Sequence, residues 1–430
     1  MDALGPRRLL AAAIALAALT SSCTGATQRQ VTPSHPVPLG RTGSPAPSPD
    51  RSIPTPIPTV EERLVVADWT RAIEQAVSGR EVSVAIGVHD TIRYVHAGAV
   101  RRIPASNQKL LTSMAALDIF GPRHRFPTIV AARRPPKDGV LRGDLWLVGS
   151  GDPELDASSM ARLAARLDAA GVTRIGGGVI GDTAAFTREW WAPGWVPGLS
   201  RSYVTRTTAL AFDGNTGSGS PEEAAAASIT ASLRASGIDV QAETSTGEAP
   251  PGLHTVARIG SRPLRDLLAV QNHGSVNFYA ETFLKAIGAA SGGGVGSTAT
   301  GADAVAAWAA ERGVTAQVRD GSGLSHQDLV SAQGLTTLLL LAQDEPWGPS
   351  LDDSLPPAGE GTLGGRLVGI PVRAKTGTLF ETPVSSLSGY VTDASGTRVA
   401  FSVISRGLDK GTAMAIEDAI VRALSVGRVG

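Results

Sequence analysis

Cysteine is almost absent, Cys23 being the only one in 430 residues, so no intramolecular disulfide can staple the chain. The seven histidines (35, 89, 96, 124, 254, 273 and 326) are scattered and form no HxxxH or HxH pair. With one cysteine besides, they argue against a zinc site, and no cofactor or metal is expected. Net charge is zero, so bulk electrostatics favours neither nucleic acid nor an acidic polymer as partner. No Gly-x-Ser-x-Gly occurs, which argues against a Ser-His-Asp hydrolase of the α/β type. Lysine is also scarce. Only Lys109, Lys137, Lys285, Lys375 and Lys410 stand against 34 arginines, so each lysine asks for a reason that arginine would not satisfy.

What is present begins with an address. Arg7 and Arg8 precede an apolar run from Leu9 to Leu19, followed by the small residues Thr20, Ser21 and Ser22. This has the charge, length and flank of a secretory signal peptide over residues 1–23 and is too short to span a bilayer comfortably. Cys23 sits where a lipoprotein signal places its acylated residue, although Thr20 stands where Leu, Val or Ile is usual. Lipidation and ordinary cleavage nearby are both open. Either way the chain is expected to be exported, to the cell envelope, a periplasmic space or the exterior. Residues 24–58 read as a Pro-rich linker, with nine prolines between Val31 and Pro58.

Order is expected from Thr59, where Thr59 and Glu62 form a capping-box pattern before helical spacing through Val77. Runs Val82–Val88 and Ile92–His96 predict a hairpin, and Leu387–Thr392 with Arg398–Ser405 predict a second across Asp393–Gly396. A closing helix follows from about Thr412 to Leu424. Strands at both ends of the ordered chain are expected to share one antiparallel sheet. Helices fall between them, from Ser106, around Asn277–Ile287 and over Thr300–Arg312. Between Pro135 and Gly252, Gly, Pro and short apolar runs such as Leu145–Val148 suggest a largely β insertion.

Three places could carry chemistry. In PASNQKLL, Ser106 and Lys109 are three residues apart at the start of a helical pattern, hence on one face. An amine can take a proton from that hydroxyl only when neutral. A base working near pH 7 needs its pKa lowered by roughly three units, about 4 kcal/mol, which burial beside another cation can supply. Arginine is effectively never deprotonated. His273-Gly-Ser275-Val276-Asn277 offers a hydroxyl and an amide two residues apart before a second helix. Lys375-Thr376-Gly377-Thr378 lies on a strand-like run, where the glycine permits close approach and the polar groups could meet a carboxylate. Each has a bland alternative: an N-cap serine beside a surface lysine, an ordinary helix cap, an edge strand with a protective lysine.

Taken together and in this order, the three resemble the S-x-x-K, S-D-N and K-T-G elements of the penicillin-recognising serine hydrolases. The closer resemblance is to the peptidase S13 family, D-alanyl-D-alanine carboxypeptidase/endopeptidases of the class C low-molecular-weight penicillin-binding proteins. It extends to SGDPEL (Ser150–Leu155), ALAFDGNTG (Ala209–Gly217), NFYAETFLK (Asn277–Lys285), DGSGLS (Asp320–Ser325) and GTLGGRL (Gly361–Leu367), covering nearly all the chain from about residue 60. Val276 departs from it, since many relatives carry Asp or Asn there.

The resemblance implies an α+β fold of the penicillin-binding/β-lactamase-like transpeptidase type, an antiparallel sheet flanked by helices, with an inserted, largely β domain. It places the peptidase domain at 59–134 and 253–430 and the insertion at 135–252. It implies that Ser106 attacks the carbonyl between two terminal D-alanines of a peptidoglycan stem peptide and that Lys109 is the general base. Ser275 would pass a proton to the leaving amine and Asn277 would hold the substrate amide. Lys375, Thr376, Gly377 and Thr378 would line the carboxylate end, and the amides of Ser106 and Thr378 would form an oxyanion hole. β-Lactam antibiotics would acylate the same serine. The separation of 169 positions from Ser106 to Ser275 exceeds what a compact β-lactamase needs, and no Glu-x-x-x-Asn lies between them. A β-lactamase is therefore the lesser alternative, and a catalytically quiet peptidoglycan-binding or scaffolding protein is the rival from another class.

Overall fold

A computed structural model describes residues 60–430 apart from 199 and 293. The expected signal peptide, Cys23, the expected Pro-rich linker and the expected Thr59 cap lie outside the described residues. Among the described residues no helix is long and apolar enough to cross a membrane.

Five strands form an antiparallel sheet in the spatial order Val372–Leu379, Val384–Thr392, Arg398–Arg406, Val82–Val88, Thr91–His96. Both ends of the ordered chain thus meet in one sheet. The first hairpin turns at His89-Asp90, with His89 at φ 58°. The C-terminal strands extend the expected runs by a few residues. The three inner strands are buried on both faces, and alternation sends their side chains to two cores. Val84, Ile86, Val399, Phe401 and Val403 pack with the helices Val60–Val77 and Lys410–Val426 on one face. Ala85, Ala400 and Ile404 pack on the other face with Gln108–Phe120, Asn277–Gly292, Thr298–Glu311 and Ala332–Asp344. The edge strand Val372–Leu379 pairs with one strand; on its outer side Ala358 N donates to the Val372 carbonyl and Ala374 N to the Pro356 carbonyl, so only its second half faces the site.

A second five-stranded sheet runs Ser245–Gly247, Val179–Asp182, Leu145–Val148, Pro127–Ala132, His254–Gly260, with parallel and antiparallel pairs. Three short parallel strands, Val140–Leu141, Arg174–Ile175 and Asp239–Val240, lie apart from it. The largely β texture expected for this stretch needs one correction, because two full helices, Ala157–Ala169 and Pro221–Ala235, pack in the core of the second sheet. Both carry start signals that the Gly-rich surroundings overshadow. Asp156 accepts from the Ser159 amide. Ser220 accepts from the Glu223 amide, ahead of Pro221 at the first turn.

Candidate active site

The turn carrying Ser106 is pinned from three sides. Ala105 takes φ 48°, a region a residue with a Cβ enters only when its surroundings over-determine it. A 3-10 turn over Ala105–Asn107 then feeds the helix Gln108–Phe120. From the sheet, Ser386 Oγ donates to the Pro104 carbonyl (2.7 Å), and Asn107 Nδ2 donates to Ser388 Oγ (2.7 Å). Gly377 brings the edge strand against this turn, since a Cβ there would fall 2.2 Å from Ser386 Oγ and 2.9 Å from both Pro104 O and Ser106 N. Gly323, at φ 83°, closes the opposite side, where a Cβ would lie 1.8 Å from the Ala105 carbonyl.

Lys109 is fully buried, one helical turn beyond Ser106. Its Nζ donates to three neutral oxygens: Ser106 Oγ (3.2 Å), Asn277 Oδ1 (2.6 Å) and the Ser322 carbonyl (2.6 Å). Burial lowers its pKa to about 8, against the pull of Asp320, Glu281 and Asp328, which favour the charged form. Lys375, also fully buried, donates to Ser275 Oγ (2.9 Å) and the Thr376 carbonyl (2.8 Å). Burial first and the charge of Lys109 second push its pKa well below the usual lysine value. Ser275 itself sits at φ 53°, which turns the chain between the helices Leu264–His273 and Asn277–Gly292.

Two hydroxyls, two amines and an amide from distant segments thus converge. Ser106, Ser275, Asn277 and Thr378 line an open cleft of roughly 160 Å³. Lys109, Lys375 and Gly377 stand buried behind it, while Thr376 is not among the lining residues. The rest of the wall was not singled out from the sequence: Val196, Tyr203, Leu324, His326, Leu379, Phe380 and Glu381. Leu324 and His326 belong to or follow DGSGLS, and Leu379–Glu381 follow the lysine strand, so a motif lay beside each. Val196 and Tyr203 come from the stretch 135–252, and no local pattern marked them. Their loop is tied across the site by Trp195 Nε1 donating to Asp320 Oδ2 (2.7 Å) and Ser325 Oγ donating to the Pro193 carbonyl (2.6 Å). Asn277 Nδ2 in turn donates to the Tyr203 carbonyl (3.0 Å).

A hydroxyl 3.2 Å from a buried amine whose proton affinity is depressed is a serine equipped for acyl transfer. Close backbone approach at position 323 is a condition for that geometry. Gly323→Ala is expected to lower β-lactam acylation by on the order of a hundredfold through displacement of the Ser106 turn. Stopped-flow acylation rates check this, and an unchanged rate contradicts it.

Comparison with known proteins agrees with the geometry. A D-alanyl-D-alanine carboxypeptidase of an Actinomadura species is 29% identical over 451 residues, covering 82% of each chain. Carboxypeptidase DacB of Mycolicibacterium smegmatis is 28% identical over 465 residues, 97% of this chain and 96% of that one. Among solved structures, penicillin-binding protein 4 of Haemophilus influenzae matches with a TM-score of 0.70 at 23% identity, covering 83% of this chain and 98% of its own, which shows a shared fold. The sequence profile of the D-Ala-D-Ala carboxypeptidase 3 (S13) family matches residues 65–220 and 216–426. The chain belongs to the D-Ala-D-Ala carboxypeptidase 3 (S13) family.

Proposed function

We propose that this protein is a serine D-Ala-D-Ala carboxypeptidase that acts on peptidoglycan stem peptides through an acyl-enzyme at Ser106 and is inhibited by β-lactams. The observation that carries this reading is the 3.2 Å contact between Ser106 Oγ and the buried Nζ of Lys109. Neutral Lys109 takes the Ser106 proton as Oγ attacks the carbonyl of the penultimate D-alanine. The amides of Ser106 and Thr378 receive the oxyanion, a role supported by the close approach of the 377 backbone to Ser106 N. As the C–N bond breaks, Ser275 gives its proton to the amine of the departing D-alanine and is reprotonated by the proton Lys109 took from Ser106. This leaves Lys109 neutral again, while Lys375 supports the Ser275 hydroxyl from 2.9 Å. Thr378, which lines the cleft, supplies a hydroxyl for the terminal carboxylate, with Thr376 beside it and Lys375 supporting the site electrostatically from behind. Asn277 orients the amide of the acyl portion. Water, deprotonated by Lys109, then attacks the ester carbonyl and releases the shortened peptide, and Lys109 returns the proton to Ser106 Oγ.

A second recess favours endopeptidase activity as an addition. It shares Tyr203, Ser275 and Asn277 with the cleft and continues past Val276 to Arg201, Thr205 and Thr216, with a volume of roughly 500 Å³. Cross-linked peptides need such room on the far side of the scissile bond. Several outlying readings belong with this proposal. Residues 1–23 direct export, with lipidation of Cys23 as the anchored variant, and 24–58 tether the enzyme at the wall. The 135–252 segment acts as an inserted domain, supported by an apolar core that it mostly supplies, with Val130, Ala132, Ala257 and Ile259 added from the flanking strands.

Wild-type protein is expected to be labelled by fluorescent penicillin and Ser106→Ala to remain unlabelled; label persisting in the alanine variant contradicts the nucleophile. Lysine is protonated below its pKa, so the labelling rate should rise through a limb near pH 8 and fall as pH drops. A rate independent of pH across that limb contradicts Lys109 as base. Val276→Trp, which narrows the second recess, is expected to slow cleavage of a cross-linked muropeptide dimer by about tenfold relative to release of terminal D-alanine. Equal effects on both reactions contradict the use of that recess.

A further inference from the structure

One of the three oxygens that hold Lys109 has a support of its own. Glu281 Oε1 accepts from the amides of Gly321 (3.0 Å) and Ser322 (2.8 Å), and the carbonyl of that same Ser322 accepts from Lys109 Nζ. Thr112 Oγ1, one turn beyond Lys109 on its helix, donates to the Gly321 carbonyl (2.9 Å). Glu281 follows Asn277 by four residues, so one face of the helix Asn277–Gly292 carries both a direct acceptor for Lys109 and the anchor of the loop bearing another. The loop fits so tightly that a Cβ at Gly321 would meet the Ala280 carbonyl at 2.4 Å. Glu281 is only 3% exposed. Burying a carboxylate without a cation in contact costs stability, so packing alone does not account for it.

We propose that Glu281 is a positioning residue for Lys109: by gripping the Gly321 and Ser322 amides it fixes the carbonyl that, together with Asn277 Oδ1, aims Nζ at Ser106 Oγ. This rests on Lys109 being the base of the proposed reaction. The charged groups facing Lys109 are Glu281 from this helix, Asp320 and Asp328 from the loop, and Lys375 from the edge strand. Burial, with Asp320 next, raises Glu281 to about 8, and the same two causes raise Asp328 well above the carboxylate range. With its pKa at about 8, Glu281 is largely the neutral carboxyl below the limb, so the variants test its hold on the two amides rather than its charge.

The test measures fluorescent-penicillin acylation across pH for the whole protein and two variants. Glu281→Gln keeps an oxygen for both amides and drops the charge. Its acylation rate should stay within about tenfold of wild type across the limb. Glu281→Ala loses the grip and should slow acylation by on the order of a hundredfold, with non-covalent affinity little changed. The proposal is overturned if Glu281→Ala acylates at the wild-type rate or if Glu281→Gln is as slow as the alanine variant. Should Glu281→Ala not fold, Glu281→Asp decides: a carboxyl one methylene short of the Gly321 and Ser322 amides should slow acylation by at least about tenfold, and a wild-type rate overturns the proposal. Wild type failing to label at Ser106 would instead remove the acyl-enzyme reading, which keeps the two failures distinct.

Discussion

The constraint on which the site depends is an ammonium buried among neutral oxygens. Lys109 is sealed from water and touches a hydroxyl, a carboxamide and a peptide carbonyl, with its carboxylates one layer back. Burial makes the charged form costly, and the neutral acceptors keep the amine in place without fixing a proton on it. A direct carboxylate contact would have held that proton and removed the base. The second buried lysine, Lys375, adds like-charge repulsion from the edge strand. Two cations in one dry pocket disfavour each other's charge.

Much of the surrounding fold exists to bring those oxygens together. Asn277 arrives from a helix 168 residues away in sequence, and the Ser322 carbonyl from a loop 213 residues away. The sheet clamps the Ser106 turn through Ser386 and Ser388, and Gly377 and Gly323 let backbone close in from both sides. Positive φ at Ala105 and Ser275 places non-glycine strain at the two serines that face the cleft. Strain of this kind persists only inside a rigid frame, here a sheet buried on both faces by two apolar cores.

What could be read in the sequence follows from how local its cause is. The hairpins ending at His96 and Arg406 and the helices from Gln108, Asn277 and Thr298 rest on short-range periodicity and turns, so they were legible to within a few residues. The motif residues were legible through their order along the chain. Lys109 stood out because a chain that otherwise uses arginine had kept a lysine three residues after a serine. The anchoring role of Glu281 was not legible, since its partners Gly321 and Ser322 lie some forty positions on. Tyr203 and Trp195 were hidden for the same reason, because only their hydrogen bonds to Asn277 and Asp320 across the site give them meaning. The helix Pro221–Ala235 was missed although its Ser220-Pro221 start was in view, because Gly-rich runs on either side dominate the reading of that stretch.

The claim that Lys109 is kept because it can shed its proton is tested most directly by Lys109→Arg. Arginine preserves a cation that can donate to Asn277 and Ser322, and it stays charged at any pH the protein tolerates. The account predicts that acylation by penicillin, followed by intact-protein mass, falls by at least about a hundredfold and shows no recovery toward alkaline pH. An arginine variant that acylates near the wild-type rate, with the same rise toward pH 8, would contradict it.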